Sequence, residues 1–405
     1  MEKLKIITTF TGIGMQERGI YNAKGDYELI NTSEIDADAI ISYAAIHRGL
    51  TKELIASYTY PETEEMIAYL EKLRINYDYT RKAPYNWRRR GISDEKIKKV
   101  WLACNLNRNL GDISLVEHFC YCDILTFSFP CTDLATCGRQ KGIINNENTV
   151  TRSGLVFEII RILSNNLRDD LKLPKVLLME NVSALINRKN IEAYRHINEE
   201  FKKLGYLCSY CVMNAKDYGI PQNRERVFAV YMLDKQVYNT FKFPVSEKLS
   251  STLNDYLLDL QAKYIIDNDK SADFLKHLDD FKYIKSDRSN HILDYLGALV
   301  NNKWLKTEKE LSRNQRQGYR VYSSDGISPG LATNVGGYGV VSSLIYDTKH
   351  KVVRRLSPEE AFLLMGMKVE DCKKCRELGV SDTQLYRQAG NGLVTNCIER
   401  IMEEL

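Results

Sequence analysis

Apolar residues follow two alternating spacings along the first 233 positions. Short, mostly apolar runs typical of buried strands alternate with longer stretches in which apolar residues recur every three or four positions, as in amphipathic helices. The predicted strands are Leu4–Phe10, Tyr27–Ile35, Asp123–Phe129, Lys175–Glu180, Leu207–Asn214 and Arg226–Leu233. The predicted helices are Ser153–Asn165 and Asn190–Leu204. This alternation predicts an α/β fold with a mixed, largely parallel sheet and helices on both faces.

Two segments interrupt the alternation. Residues 51–110 form a polar and aromatic insertion where a strand and its helix normally need a short connection, and long insertions in compact domains tend to be functional. Residues 236–384 are more irregular, which predicts a smaller domain with a hinge. The last residues, 385–405, regain a helical pattern. We therefore assign them, with residues 1–235, to the larger domain.

Composition excludes several classes of protein. The 405 residues are 44% apolar, enough for a large core, yet no apolar run reaches membrane-spanning length and the N-terminus lacks the apolar region of a signal peptide. We expect a cytoplasmic protein with no membrane association. Its ten cysteines are then reduced thiols. Two CxxC spacings, Cys208/Cys211 and Cys372/Cys375, invite a zinc interpretation, but the first falls in a predicted strand, where residues three apart face opposite sides. We expect no metal.

The net charge of +4 is small, but positive residues are clustered. One basic and aromatic stretch lies within residues 81–99 and another within residues 303–320. Basic side chains bind phosphates and aromatic rings stack on bases, so this pairing suits nucleic acid. Taken alone, a solvated helix face with acidic partners is an equally good interpretation.

The run FSFPC at Phe127–Cys131 is a candidate nucleophile motif. A buried strand that ends at Pro130 places the thiol of Cys131 at the mouth of the sheet, and a thiolate is well suited to attack a soft carbon. Most free cysteines are inert core residues, so a single Pro-Cys favours a structural role when it is considered alone.

Further candidates lie at other strand ends. The first strand runs into FTGIG, in which Gly12 and Gly14 let the backbone approach a ligand, while the absence of a third glycine argues against a nicotinamide cofactor. Glu34 follows the second strand, where an acid binds a ribose diol in nucleoside-binding folds. Asp112, in LGDIS, is a candidate acceptor for an adenine amino group. For Glu34 or Asp112 alone, a solvated strand end is the better interpretation.

Charged residues near later strands complete the set. Glu180 ends a predicted strand over the crevice that Cys131 faces, which suits a general acid. Arg224 and Arg226, at i and i+2 of an extended segment, are predicted to project to one side and to clamp a phosphate or a carbonyl.

In their order and spacing, these motifs resemble those of the cytosine-C5 DNA methyltransferases. FTGIG is similar to the cofactor loop of that family, SEID and GDI to its adenosine contacts, FPC to its nucleophile, ENV to its acid motif and QNRER to its arginine motif. RRLSPEEAFLLMG and AGNG resemble its last two motifs. The resemblance spans almost the whole chain. It implies a Rossmann-like class I methyltransferase domain and a small target-recognition domain between QNRER and RRLSPEE.

The resemblance also implies ligands and roles. It implies S-adenosylmethionine as the methyl donor, S-adenosylhomocysteine as its product, and cytosine in double-stranded DNA as the acceptor. The implied cofactor contacts are Phe10, Gly12, Gly14, Glu34, Ile35, Asp112, Ile113, Pro130, Asn391 and Leu393. Around a flipped base, Cys131 would add to C6, Glu180 would donate to N3, Arg226 would hold O2 and Arg224 would orient Glu180.

Four positions depart from the family pattern. Thr132, Ala135 and Cys137 replace a glutamine and two serines in the loop that closes over the base, and Gly330 replaces a threonine. The insertion at 51–110 is also longer than in compact members.

We interpret the chain as a DNA (cytosine-5-)-methyltransferase of a restriction-modification system or of phage self-protection. We expect it to be a monomer, with a cognate restriction endonuclease as a candidate partner. Two alternatives stay open: a tRNA cytosine-5 methyltransferase of the same fold, and a DNA-binding pseudoenzyme. The intact Cys131, Glu180 and Arg226 argue against the pseudoenzyme.

Overall fold

The computed structural model describes residues 2–130, 152–266, 295–300, 303–305, 317–333 and 342–405. It divides the chain into two compact units. The first unit contains the chain up to Met213, together with Glu225–Pro244 and Ile398–Leu405. The second contains Asn214–Arg224 and Val245–Cys397.

The first unit alternates strands and helices in the predicted way. Its strands are β1 Leu4–Thr9, β2 Tyr27–Ser33, β3 Ile124–Phe127, β4 Val176–Val182, β5 Leu207–Asn214 and β7 Glu225–Met232. Its helices are α1 Met15–Lys24, α2 Ala37–His47, α3 Lys52–Ser57, α4 Thr63–Lys72, α5 Asp94–Leu106, α6 Val156–Arg168, α7 Ile191–Lys203 and α8 Lys235–Thr240. All six predicted strands and both predicted helices are present, with ends that differ by at most three residues.

The six strands form one mixed sheet in the order β2-β1-β3-β4-β7-β5. Strand β1 pairs in parallel with β2 and β3, and β3 pairs in parallel with β4. Strand β7 runs antiparallel to β4. The parallel strands run in the same direction, so their carboxyl ends lie at one edge of the sheet. Ligands bind at this edge in open α/β folds. The α/β prediction with a mixed sheet is confirmed.

Both faces of this sheet are covered. The neighbouring residues Ile6 and Ile7 on β1 face opposite sides and are both fully buried, as expected for a strand between two helical layers. On the Ile7 face, rings from β3, β7 and α7 pack together. Phe201 of α7 lies 4.5 Å from Tyr231 of β7 and 5.8 Å from Phe127 of β3, measured between ring centroids. This packing fixes α7 on the sheet.

The insertion at 51–110 folds into the three helices α3, α4 and α5. Helix α5 begins where the side chain of Ser93 accepts the backbone N–H of Lys96, and it packs against α2 and α4. Its buried side includes Ile97, Val100 and Cys104. The insertion therefore adds a helical layer to the first unit.

The strands that the structure describes in the second unit are β6 Gln222–Asn223, β8 Tyr295–Val300, β9 Lys303–Leu305, β10 Arg320–Ser323, β11 Ser328–Pro329, β12 Leu344–Asp347 and β13 Val352–Arg354. They form a five-stranded sheet in the order β13-β12-β10-β8-β9 and a two-stranded parallel sheet of β6 and β11. The helices that the structure describes in this unit are α9 Pro358–Leu363, α10 Val369–Glu377, α11 Asp382–Asn391 and the first turn of α12 Thr395–Glu403.

The RRLSPEE motif forms a buried charge cluster in the second unit. The side chain of Ser357 accepts the N–H of Glu360, and Glu360 accepts the N–H of Ser357, so a reciprocal cap begins α9. The Arg354 guanidinium donates to both Glu360 oxygens, at 2.6 and 2.8 Å, and lies 3.4 Å from Asp347 Oδ2. All three charged side chains are buried. The motif is therefore structural.

The compact units and the predicted domains divide the chain at different residues. The prediction assigned Asn214–Arg224 and residues 385–397 to the larger domain, whereas backbone contacts group both with the second unit. The target-recognition role of the smaller domain stays a prediction.

Candidate active site

The turn after β1 is built from residues in the left-handed region. Phe10, Gly12 and Gly14 have φ values of 52°, 56° and 81°. A side chain at Gly14 would overlap the ring of His47, so only glycine fits there. At Gly12, in contrast, an added Cβ would have no atom of the described residues within 4 Å. The backbone of the turn at Gly12 therefore borders open space into which a ligand can fit.

Glu34, directly after β2, organises this turn. Its Oε2 accepts the N–H of Gly12 at 2.9 Å, and its Oε1 accepts those of Ile35 and Asp36 at 2.8 and 2.9 Å. Burial raises the pKa of the Glu34 carboxyl, and the three N–H groups oppose that rise. A carboxylate has about four acceptor positions. One position on Oε2 is left for another donor.

Asp112 is buried and already binds several donors. Its Oδ1 accepts the N–H and the hydroxyl of Ser114, at 3.0 and 2.9 Å, and the hydroxyl of Tyr79 at 2.5 Å. Its Oδ2 lies 3.4 Å from Arg74 Nη1. The residue is only 1% exposed, so it is not a solvated strand end. Sequence reasoning missed Tyr79 and Arg74, since no motif or spacing marks them.

The other predicted cofactor contacts lie in both units. In the first unit, Ile35 and Pro130 are half-buried and Ile113 is buried. In the second unit, Asn391 is exposed at the end of α11 and Leu393 is buried. Their roles stay predictions.

Asn181 anchors the segment that follows β3 and leads to Cys131. Its Nδ2 donates to the carbonyl of Phe129 at 3.0 Å, and its Oδ1 accepts the N–H of Val182 at 2.9 Å. The sequence contained this residue in the ENV motif but gave it no role. Cys131 and the departures Thr132, Ala135 and Cys137 lie outside the described residues.

Glu180 and Arg226 meet on neighbouring strands. The antiparallel register pairs Glu180 with Phe228 and Val182 with Arg226, which brings the two side chains into diagonal contact. Arg226 Nε lies 3.2 Å from Glu180 Oε1, and Glu180 is 8% exposed. A second guanidinium nitrogen, Nη1, donates to the carbonyl of Glu225 at 2.7 Å. An acid and a cation therefore share the edge of the sheet next to the Asn181 anchor.

Arg224 binds main-chain groups of the second unit. Its guanidinium is buried and donates to the carbonyls of Leu331 and Gly390, both at 2.9 Å, and to that of Gly392. Gln222 makes similar contacts, since its amide accepts the N–H of Leu331 and donates to the carbonyl of Leu364. The QNR segment thus ties the AGNG motif to the rest of its unit. The predicted orientation of Glu180 by Arg224 stays a prediction.

The basic residues of the insertion are largely paired with acids. Arg88 binds Glu64 at 2.8 Å and Glu71 at 2.6 Å, and Lys98 binds Asp94 at 2.8 Å. These basic side chains therefore have acidic partners within the insertion. Most of the second stretch, at 303–320, lies outside the described residues.

Among the described residues, no group of three or more His, Cys, Asp and Glu side chains could hold a metal ion. Over the same part of the chain, no helix combines the length and apolar character needed to span a membrane.

The mixed sheet, with a glycine turn after its first strand and an acid after its second, defines a class I methyltransferase fold. Solved structures share it. The methyltransferase EhMeth of Entamoeba histolytica aligns with a TM-score of 0.54 at 14% identity, over 100% of this chain and 98% of its own. The Dnmt2 methyltransferase of S. pombe aligns with a TM-score of 0.51 at 15% identity, over 98% and 96%.

Sequence comparison narrows the class to a family. The model of the C-5 cytosine-specific DNA methylase family matches residues 62–405. The type II methyltransferase M2.ScrFI of Lactococcus lactis subsp. cremoris is 30% identical over 99% of both chains. The orphan methyltransferase M.SssI of Spiroplasma monobiae is 30% identical over 100% of this chain and 97% of its own. The chain belongs to the C-5 cytosine-specific DNA methylase family, and the predicted family resemblance is confirmed.

Proposed function

We propose that this protein methylates C5 of a flipped cytosine within a short sequence of double-stranded DNA, through a covalent Cys131–C6 adduct. The observation that carries the proposal is the contact between Glu180 and Arg226 at 3.2 Å. Glu180 lies on β4 next to Asn181, whose side chain anchors the carbonyl of Phe129, two residues before Cys131.

The target ring must first be activated, because C5 of cytosine is a weak nucleophile. Attack by the Cys131 thiolate forms a bond from sulfur to C6. The electron pair of the C5=C6 bond is then delocalised towards N3, where Glu180 donates a proton. C5 accepts a methyl group as the proton on N3 returns to Glu180. Solvent water then removes the proton of C5, and the C5=C6 bond forms again as the thiolate leaves. Every added group except the methyl is thereby removed.

Arg226 supports this sequence by binding the base. Its Nε contacts Glu180 and its Nη1 contacts the carbonyl of Glu225, so Nη2 is the donor that we assign to O2 of the cytosine. A guanidinium at O2 stabilises the charge that develops as the ring accepts electrons. The same side chain holds Glu180 in place.

The methyl group comes from S-adenosylmethionine, whose sulfonium supplies an electrophilic carbon. The first unit has groups that fit its adenosine part. The turn at Gly12 borders open space, Oε2 of Glu34 has an acceptor position for a ribose hydroxyl, and Oδ2 of Asp112 has only a long contact with Arg74. Acidic acceptors of this kind suit ribose hydroxyls and an exocyclic amine.

The biological setting that we propose is restriction-modification or phage self-protection, in a cytoplasmic enzyme acting as a monomer. The relative from Lactococcus is a type II methyltransferase, which supports a cognate restriction endonuclease as a partner. The relative from Spiroplasma is an orphan methyltransferase, which supports a setting without such a partner. Both settings require the same reaction on double-stranded DNA. The region between QNRER and RRLSPEE is proposed to recognise the target sequence.

Single-base methylation sequencing tests the reaction. Plasmid DNA is sequenced from cells expressing the wild-type protein and from cells expressing Cys131→Ser. We expect modified cytosines at one short sequence with the wild type and none with the variant. Unmodified DNA in both, from a soluble protein that binds S-adenosylhomocysteine, would overturn the DNA activity in favour of a tRNA methyltransferase or a DNA-binding pseudoenzyme.

A further inference from the structure

Residues 73–79 of the insertion, which we call the strap, lie against two of the loops proposed to bind the cofactor. The N–H of Asn76 donates to the carbonyl of Ile35 at 2.7 Å, and the Asn76 side chain accepts the N–H of Ala37 at 2.9 Å. On the other side, the N–H of Asp112 donates to the carbonyl of Leu73 at 3.0 Å. The strap therefore joins the loop after β2 to the loop that carries Asp112.

The main chain of the strap lies in van der Waals contact with the loop that carries Asp112. Gly111 has a φ of +72°, and a Cβ at this position would overlap the carbonyl oxygen of Leu73. Only glycine allows the two backbones to lie so close. Arg74 and Asn76 also adopt positive φ values, 54° and 59°, which fold the strap into a tight turn. The contact is thus built into the backbone of both segments.

The side chains of the strap bind the two oxygens of Asp112 unequally. Oδ1 accepts three hydrogen bonds, the shortest of them from Tyr79 at 2.5 Å. Oδ2 has one long contact of 3.4 Å with Arg74, whose side chain is 40% exposed. Burial and the bond to Asp112 raise the pKa of Tyr79, so its hydroxyl stays a donor at neutral pH. Oδ1 is fixed, and Oδ2 is the oxygen that another donor can reach.

We propose that the strap forms the purine end of the cofactor site and that Tyr79 is a positioning residue, which holds Asp112 so that Oδ2 accepts the exocyclic amino group of adenine. Arg74 gives up its weak contact with Oδ2 when the purine binds. This inference rests on the proposed function, because it requires an adenosyl cofactor beside Glu34 and Asp112. It adds a role for an insertion that the reaction itself leaves unexplained.

Calorimetry with two ligands tests the role of Tyr79. The first ligand is S-adenosylhomocysteine, and the second is its hypoxanthine analogue, which carries an oxo group in place of the 6-amino group. Both are titrated into the wild-type protein, into Tyr79→Phe and into Tyr77→Phe. Tyr77 is a matched control, because it lies in the same strap and packs edge-on against Tyr79 at 5.2 Å, but its hydroxyl makes none of the contacts with Asp112.

We expect wild-type protein to prefer the adenine ligand. Tyr79→Phe should weaken binding of that ligand about tenfold, as for loss of one hydrogen bond to a charged group, and leave the hypoxanthine analogue unchanged. Tyr77→Phe should leave both affinities unchanged. Unfolding midpoints measured on all three proteins show whether each variant is folded.

Four other outcomes would each overturn a stated part of the proposal. Equal weakening of both ligands by Tyr79→Phe would mean a general structural effect, and no weakening of either would mean that Asp112 is held by other groups; both results overturn the positioning role. A wild-type protein that binds neither ligand would instead overturn the proposed cofactor. A wild type that binds both equally would retain the cofactor but overturn the contact between Asp112 and the amino group, and the inference with it.

Discussion

Both the nitrogen and the oxygen of the Asn181 side-chain amide bind main-chain groups, and these two hydrogen bonds position the chain just before Cys131. Replacing it with alanine leaves the carbonyl of Phe129 without this donor and frees the segment between β3 and Cys131. We expect Asn181→Ala to lower the methylation rate per folded molecule at least tenfold, because a small misplacement of a nucleophile is costly. Cofactor affinity should not change. Turnover and calorimetry on the purified variant measure the two effects.

Asn166 offers a matched control for that experiment. It is also buried and bridges the backbone at Phe119, with bonds of 3.1 and 2.8 Å, but it lies on α6. Asn166→Ala should cost stability by about 1–3 kcal/mol, as loss of a buried polar pairing does, without changing turnover per folded molecule. Equal turnover in the two variants would remove the anchoring role from Asn181.

Glu34 gives a second prediction at this scale. Glu34→Ala removes the proposed ribose acceptor and the group that orders the Gly12 turn, so affinity for S-adenosylhomocysteine should fall at least about tenfold. Glu28→Ala is the control, since Glu28 is an exposed residue of β2, the strand that Glu34 follows. Isothermal titration calorimetry measures both affinities, and an unchanged value for Glu34→Ala would show that the ribose assignment is wrong.

The arginine pair illustrates why sequence reasoning about single residues reaches only part of the site. Arg224 and Arg226 were predicted to face one side, on the assumption of one continuous extended segment. The structure ends β6 at Asn223 and begins β7 at Glu225, so the alternation of a single strand does not apply across Arg224. Glu180 and Arg226, by contrast, lie inside regular strands, and the apolar runs of those strands were visible in the sequence.

At the scale of elements, the contact between the strap and Gly111 can be tested by stability. Gly111→Ala places a methyl group against the carbonyl of Leu73 at a positive φ, and we expect a loss of about 2 kcal/mol or more in the free energy of unfolding. Gly91→Ala has the same kind of backbone, with φ +95°, but open space around it, so it should cost only about 1 kcal/mol. Denaturant unfolding of the two variants separates overlap from backbone strain. Equal losses would show that the strap can move away.

The charge cluster beside α9 predicts a pH dependence. Burial would raise the pKa of Asp347, but the hydrogen bonds from His350 and the charge of Arg354 outweigh it, and the pKa lies below its ordinary value. A lowered folded-state pKa stabilises the protein above the unfolded pKa of about 3.9, and this stabilisation is lost as the pH falls through the folded-state value.

Asp347→Asn should therefore destabilise the protein at pH 7 by about 3 kcal/mol, the order found when a buried ion pair loses one partner. The difference from wild type should shrink as the pH falls below about 4. Unfolding midpoints measured from pH 7 downwards check both points. Asp325→Asn is the control, since Asp325 binds Asn254 and Thr348 at an exposed position. A pH-independent difference would contradict the assignment to the Asp347 charge.

The elements themselves were predictable to different degrees. The strands and helices of the first unit follow from apolar spacing, because burial on two faces leaves a clear signal. The path of the strap does not, since Tyr79 and Asp112 are 33 positions apart and their contact depends on how α4 and α5 pack. Propensity and spacing describe single elements, and such a contact is a property of their assembly.

For the whole molecule, the division into two units predicts a separation of chemistry from recognition. Replacing residues 245–350 with the corresponding segment of a relative that has another target should move methylation to the target of that relative. The glycine turn, Glu34 and Glu180 all stay in the first unit, so the reaction should be retained. Single-base sequencing of plasmid DNA reports the target. Exchange of residues 81–99, the basic and aromatic stretch of the insertion that follows the strap, is the control, because it should leave the target unchanged, and a moved target there would locate recognition in the insertion.

Residues 398–405 return to the first unit after the whole of the second has intervened. Ile398, Ile401 and Met402 are buried there, and Asn22 of α1 donates to Glu399 at 2.9 Å. During synthesis, the packing of the first unit, which contains Glu34 and Glu180, would therefore be complete only after the last turns of α12 have been made. A chain that stops at residue 397 would contain every proposed catalytic residue and still expose an apolar gap on the first unit, which makes it a substrate for proteases and chaperones and leaves it a poor enzyme.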